Sequence, residues 1–312
     1  FAYLGNVQRL AGLPMEVCSF HSNRQCGSSM ETLHRIAMGI MVGTIDCGIA
    51  MGIERMGRAI GGGGRGNRIT GPNPKIAEPN QVQREAAPDH DDYFSVPFPE
   101  HLLSTPWIQS MPQTAQNVAE VYGLTRGQLD DYAAASHAKT HEAAQAGIYR
   151  DEIVPLEVEK PLFDDDGNWL EEEHGATETF ERDECIRPGT TAEKLAGLPV
   201  LRGVKSWGDK ELVITGGNSC PTNDGISAAI LMAEDKALDL GIEPLVRISS
   251  MGVGGVKPQL MGLGPVVSSK KALRHAGLEA GEIGRVEFNE AFAAQVIPSV
   301  GEIGLEAAGV NV

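Results

Sequence analysis

An apolar rhythm shortly after the start of the chain sets its fold class. Met30, Leu33, Ile36, Ala37, Ile40 and Met41 recur at three- and four-residue spacing, which predicts an amphipathic helix ended by Gly43. Directly after it, the run Asp-Cys-Gly-Ile-Ala-Met at 46–51 reads as a short buried strand. A helix followed at once by a strand is the pattern of a layered α/β core. The alternation returns later in the chain. Residues 212–215 read as a strand, and Asp224 as the cap of a helix carrying Ile226, Ala229, Ile230 and Met232. Residues 245–249 and 285–288 read as strands, 268–276 as a helix, and a further helix starts at Ala291. The segment before Cys26 reads as irregular, with Gly12 and Pro14 followed by a short apolar run at 15–20.

Between the two core stretches the texture changes. From 61 to about 106 the chain is rich in Gly, Pro, Asn and Asp, including Gly-Gly-Gly-Gly-Arg-Gly-Asn at 61–67, and reads as loop. Two helices follow, at 113–122 and from Thr125 to about 146, the second opened by a capping box of Thr125 and Gln128 and stopped by Gly147. Residues 151–188 are polar and acidic, and the charge runs at 164–166 and 171–173 read as solvated surface. The layout is core, long insertion, core.

Charge and cysteine usage exclude several classes. The 312 residues carry 26 Lys+Arg against 42 Asp+Glu, a net charge of −16, whose field repels nucleic acid and anionic membrane. No stretch approaches the roughly 18–20 uninterrupted apolar residues of a membrane span. Cys18, Cys26, Cys47, Cys185 and Cys220 are scattered with no C-x-x-C pair, which argues against a disulfide framework or a zinc site and for a reducing compartment. The first residue is Phe1 and no signal segment precedes the core, so the chain reads as cut from something longer.

Two clusters carry chemistry. Cys26 sits in Asn-Arg-Gln-Cys-Gly-Ser-Ser at 23–29, at the mouth of the first core helix. Unpaired N–H groups and the positive end of the helix dipole favour a thiolate there, and small neighbours leave room for a substrate carbonyl. A lone cysteine is also commonly a small buried hydrophobe. Asn289 sits in Phe-Asn-Glu-Ala-Phe-Ala-Ala at 288–294, at a strand-to-helix junction where an amide can serve an oxyanion or simply cap the helix. His21 and His34 flank Cys26 and read as structural or surface histidines, His34 lying more than two helical turns along. The glycine runs at 61–64 and 252–255 lack the strand-then-helix setting of a dinucleotide loop.

Taken together, these clusters resemble the thiolase family. The nucleophile segment at 23–29 and Asn-Glu-Ala-Phe-Ala at 289–293 are similar to its two signatures. Between them, in the family's order, stand Thr-Ala-Gln-Asn-Val-Ala-Glu at 114–120, Asp-Glu-Ile-Val-Pro at 151–155, Asn-Asp-Gly at 223–225 and Met-Gly-Leu-Gly-Pro at 261–265. The resemblance implies an α/β fold, a layered arrangement of two similar βαβ-rich halves with an inserted, mostly helical loop lobe. It divides the chain into an N-terminal half at 1–62 and 211–244, the lobe at 63–210, and the start of a C-terminal half at 245–312.

It also implies an acyl-CoA C-acyltransferase that cleaves or forms 3-oxoacyl-CoA through an acyl-enzyme on Cys26, with Asn289 holding a water of an oxyanion hole. Ser250 matches a serine that contacts coenzyme A, and Met111 and Phe292 match apolar residues of the acyl pocket. No cofactor or metal is expected; acyl-CoA and CoA are substrate and product. A homodimer or homotetramer in the cytoplasm is the expected state, and the polyanionic CoA would need local basic side chains or helix N-termini against the global field.

The chain departs from the family at several points. Cys220-Pro221-Thr222 stands where a Ser-Gly pair is usual, and Ser110 where biosynthetic members often carry His. Neither a Gly-His-Pro run nor a second cysteine in a glycine-rich turn follows, so the resemblance implies a fragment that is inactive alone. Two rival readings are a decarboxylating condensing enzyme, against which the Asn-Glu-Ala-Phe run argues, and a non-catalytic thiolase-like protein that binds acyl-CoA or lipid.

Overall fold

A computed structural model of the chain describes residues 3–55, 93–165 and 169–312. In chain order its helices are α1 (Tyr3–Leu10), α2 (Ser28–Met41), α3 (Met111–Tyr122), α4 (Arg126–Gln145), α5 (Ala192–Ala196), α6 (Glu234–Asp239), α7 (Gly264–Ala276) and α8 (Ala293–Ile303). Its strands are β1 (Cys47–Arg55), β2 (Leu156–Phe163), β3 (Trp169–Phe180) and β4 (Asp224–Met232). The described residues fall into two units, one drawn from Phe1–Gly71 and Thr222–Met251, the other from Pro72–Pro221 and Gly252–Val312.

In the first unit, α2 lies on a two-stranded antiparallel sheet of β1 and β4, in register from Cys47 opposite Met232 to Arg55 opposite Asp224. Side chains alternate across a strand, so 48, 50 and 52 share one face of β1. That face meets the helix at close range. A Cβ on Gly48 would stand 2.9 Å from Ile36 Cγ2, and one on Gly52 would stand 2.7 Å from Ser29 Cβ, so glycine at these two positions lets α2 approach. Ile36, Ala37, Ala50 and Leu231 form the buried centre, flanked by Leu33, Ile40, Ile248 and Met251. The opposite face pairs Ile49 with Ile230 and Ile53 with Ile226, all between 48% and 71% exposed.

The second unit is built on α3, α4, α7 and α8. α3 opens with Ser110 as N-cap and Pro112 in its first turn, and closes on Gly123 in the left-handed region at φ 62°. The capping box of Thr125 and Gln128 is present as the sequence predicts. α8 is buried along most of its length, with Ala294, Val296 and Ser299 fully enclosed. Leu102, Val118, Leu260, Leu263, Val266 and Ile303 form one core cluster, and Ala115, Ala119, Leu129, Val213, Ile214, Phe292, Ala293 and Ala294 another. Burial of each Val, Leu, Ile or Phe side chain among these contributes about 1.5–3 kcal/mol.

The polar side of α3 is also buried and acts on distant backbone. Gln113 brackets Lys205, donating to its carbonyl and accepting from its N–H, both at 2.8 Å. Gln116 donates to Glu211 O at 2.9 Å and accepts from Val213 N–H at 3.0 Å. Asn117 donates to Gln259 O at 2.9 Å. Each amide replaces the water that these backbone groups lose on burial.

Several expectations are corrected. Residues 224–232 form strand β4 and not a helix, so Asp224 caps nothing; short apolar runs fit either period, and pairing with β1 decides this one. Residues 245–249 form no strand, and Leu245 and Val246 are 99% and 83% exposed, because an extended run becomes a strand only through a partner. The segment before Cys26, irregular by its sequence, holds α1. Residues 212–215 and 285–288 are reduced to single bridges, Val200 with Thr215 and Val286 with Val310. The helix read from Ala291 begins at Ala293. The acidic stretch at 151–188 contains the β2–β3 hairpin, which its charge density disguised; Asp164 and Asp165 are exposed as expected. The glycine run at 61–67 lies outside the described residues.

Candidate active site

Cys26 is exposed and stands immediately before Gly27, the N-cap residue of α2, where no side chain caps the first turn. The turn that carries it is tightly specified. Gln25 has φ 49°, a left-handed conformation uncommon for a residue with a side chain. Around it, Gly27 N–H donates to Arg24 O and Ser28 N–H to Gln25 O, both at 3.0 Å. The Ser28 hydroxyl accepts from Arg24 N–H at 2.8 Å and donates to Gln25 O at 2.7 Å, and Asn23 Oδ1 accepts from Gln25 N–H at 3.0 Å.

Beneath the turn, Glu31 is buried and paired with Arg24 at 3.0 Å and Arg35 at 2.9 Å. Burial pushes the His34 imidazole pKa below its usual value, against the opposing charge of Glu31 and with a smaller push from Arg24. A thiol on a held turn at an uncapped helix N-terminus can attack a carbonyl and leave backbone N–H groups to meet the developing oxyanion. Sequence reading missed Glu31, although its spacing from Arg35 is a helical i,i+4 pair.

Asn289 lies in the second unit and is exposed. It does not cap α8, whose N-cap residue is Phe292 with no side-chain cap, so the simple capping alternative is overturned. Its flanks are pinned instead. Asn311, itself at φ 52°, accepts from Phe288 N–H at 2.6 Å and donates to Phe288 O at 2.9 Å. On the other side, Cys220 N–H donates to Ala291 O at 2.9 Å and Ala293 N–H to Asn218 O at 3.0 Å. The Asn289 side chain makes no hydrogen bond among the described residues.

The remaining site candidates are placed as follows. Ser250 is half-buried in the first unit, with Cys26. Met111 is the first residue of α3 and 43% exposed. Phe292 is buried in the cluster that holds Ala115 and Ala119 of the same helix. None of the five cysteines forms a disulfide. No helix among the described residues is long and apolar enough to cross a membrane.

Comparison with known proteins settles the family. The description "Thiolase, N-terminal domain" matches residues 5–235, and "Thiolase, C-terminal domain" matches residues 242–312. The chain belongs to the thiolase family.

A 3-ketoacyl-CoA thiolase of Bacillus subtilis (strain 168) is 36% identical over 307 residues, which cover 98% of this chain and 69% of that relative. Among solved structures, the Bacillus anthracis acetyl-CoA acetyltransferase matches with a TM-score of 0.72 and 30% identity, over 97% of this thiolase and 68% of that chain. The dimeric peroxisomal thiolase of Saccharomyces cerevisiae matches with a TM-score of 0.73 and 27% identity, over 98% of this thiolase and 66% of that chain. This thiolase spans about two thirds of the length of each relative. The expected α/β thiolase fold is thereby borne out.

Proposed function

We propose that this thiolase is an acyl-CoA C-acyltransferase of fatty acid metabolism that cleaves or forms 3-oxoacyl-CoA, with Cys26 as the acyl-carrying nucleophile. The observation that carries the reading is the exposed Cys26 on its bracketed turn before the uncapped N-terminus of α2. The Cys26 sulfur attacks the substrate carbonyl and takes the acyl group. In the degradative direction coenzyme A accepts that group; in the biosynthetic direction a second acyl-CoA, deprotonated at its α-carbon, does. Coenzyme A is substrate and product in this scheme, not a resident cofactor. Asn289 holds the water of an oxyanion hole, Ser250 contacts the coenzyme A moiety, and Met111 and Phe292 line the acyl pocket. The names of the relatives support the reaction class, and the dimeric yeast relative supports a homo-oligomer. A dimer or a tetramer acting in the cytoplasm is part of this reading, carried by the resemblance alone. The division into an N-terminal half (1–62 and 211–244), a loop lobe (63–210) and the start of a C-terminal half (245–312) belongs to the same reading.

The test is mass spectrometry of the protein expressed from its complete gene, after incubation with a 3-oxoacyl-CoA, paired with a thiolysis assay. An acyl adduct on Cys26 is expected, and Cys26→Ala should lose the adduct and at least about a thousandfold in rate while staying folded. Tight acyl-CoA binding without adduct or turnover would replace this reading with that of a non-catalytic acyl-CoA-binding protein.

A further inference from the structure

Glu290, the neighbour of Asn289, is the most heavily engaged side chain of its loop. Its Oε1 accepts from the Tyr132 hydroxyl at 2.7 Å and from Asn311 Nδ2 at 2.8 Å, and its Oε2 accepts from the Ser136 hydroxyl at 2.5 Å. Tyr132 and Ser136 are one helical turn apart on α4, so a single face of that helix supplies two of the three donors. Burial, then the hydrogen bond to Glu290 and its charge, push the Tyr132 phenol upward, so it stays protonated and donating at neutral pH. Asn311 completes the arrangement, because the amide that reaches Glu290 also brackets the backbone of Phe288.

Residues 288 and 290 are therefore fixed to α4 and to Asn311, while 291 and 293 are fixed to 218–220. Between these anchors Asn289 is exposed with its amide uncommitted. A loop pinned on both sides of one free polar side chain is a means of presenting that side chain in a set direction.

We propose that Glu290 is a positioning residue: by gathering Tyr132, Ser136 and Asn311 it fixes the direction in which Asn289 presents its amide to the water of the oxyanion hole. This rests on the role given to Asn289 above. The carboxylate takes no part in proton transfer. A glutamine preserves the arrangement, since its Oε1 still accepts from Tyr132 and Asn311 while its Nε2 donates to the Ser136 oxygen.

The test is a double-mutant cycle of Glu290→Ala and Asn289→Ala in the protein expressed from its complete gene, with kcat and KM for thiolysis, alongside Glu290→Gln. Glu290→Ala should lower kcat about 10- to 100-fold with KM within about threefold, Glu290→Gln should stay within about threefold of the parent, and Glu290→Ala should add little once Asn289 is alanine. A folded Glu290→Ala at full rate, a Glu290→Gln as impaired as the alanine variant, or fully additive losses would each overturn the proposal. A harmless Asn289→Ala would instead sink the role of Asn289 and the proposal with it. If Glu290→Ala does not fold, Ser136→Ala combined with Tyr132→Phe removes two of the three donors and takes its place in the cycle. A nitrogen-15 spectrum of the side-chain amides gives a readout independent of turnover. Glu290→Ala should shift the Asn289 signal and leave that of Asn23 in place, and an unmoved Asn289 signal counts against the proposal.

Discussion

The Arg24 guanidinium lies 3.0 Å from the Glu31 carboxylate, and Arg35 reaches the same carboxylate at 2.9 Å from one helical turn further on. The Glu31 side chain is 8% exposed whereas the two arginines are 51% and 55% exposed, so solvent screens much of each pair. Removing Arg24 leaves Glu31 paired with Arg35. Arg24→Ala is expected to cost less than about 1 kcal/mol in stability. Acyl transfer should nevertheless fall several-fold, because the Arg24 side chain ties the turn carrying Cys26 to Glu31 of α2, whereas the bond from Gly27 N–H to the backbone carbonyl of residue 24 survives the substitution. Thermal unfolding beside single-turnover acylation separates the two effects, and full-rate acylation would free Arg24 of any part in holding Cys26.

Gln25 is a second point of sensitivity in that turn. A left-handed residue other than glycine costs about 1–3 kcal/mol, and a β-branched side chain raises the cost further. Gln25→Gly should therefore change stability by less than about 1 kcal/mol, since relief of strain is offset by unfolded-state entropy. Gln25→Val should lose about 1–2 kcal/mol. Urea unfolding of the pair checks this, and equal midpoints would mean that the turn relaxes around either residue.

In the other unit, Asp130 is 1% exposed and bound to Arg126 at 2.7 Å and to Asn218 Nδ2 at 3.0 Å. Arg126 also donates to Leu195 O and Leu198 O. Arg126→Ala strands a buried carboxylate and should cost about 3 kcal/mol. Arg126→Lys keeps the charge but cannot reproduce the forked contacts, so it should fall between parent and alanine. A melting temperature unchanged in Arg126→Ala would show that Asn218 alone satisfies Asp130.

Glu302 predicts a pH dependence. Burial works to raise its pKa, but the Ser95 hydroxyl and N–H, the Tyr122 hydroxyl and the Lys270 charge together outweigh it and leave the carboxyl below its ordinary value. A depressed carboxyl pKa contributes stability that is present above its ordinary value of 4.5 and lost as the pH falls through its lower folded value. Melting temperatures of the parent and Glu302→Gln should differ above pH 4.5 and converge as the pH falls through the lowered carboxyl value. A constant gap across that range would remove Glu302 from the acid response.

The candidate site residues are easier to read from this sequence than its strands are. Cys26 and Asn289 are marked by short local runs, and helix α4 by a capping box whose chemistry is local as well. Strand β4 was misread because Ile226, Ala229 and Ile230 satisfy a helical period, and only the register against β1 makes them extended. The supports of both site loops were illegible for a related reason. Glu290 meets Ser136 across 154 residues and Tyr132 across 158, and nothing in single-sequence periodicity links such positions. Glu31 was within reach, since Arg35 is its i+4 neighbour, but a buried carboxylate in an otherwise apolar helix face looks like surface until its burial is seen.

The buried amides of α3 also bear on how this molecule is made. Their backbone targets follow 92, 95 and 142 residues later, and Lys139 of α4 reaches Val310 O across 171. Closing such long loops is entropically costly and gains nothing until both ends are present. While the ribosome is still adding residues before Gln259, Asn117 therefore lacks its backbone partner, and the apolar face of α3 lacks Leu260, Leu263 and the residues of α8. Completion of this unit is a late event in synthesis, and until then its open apolar surface is available to non-native contacts.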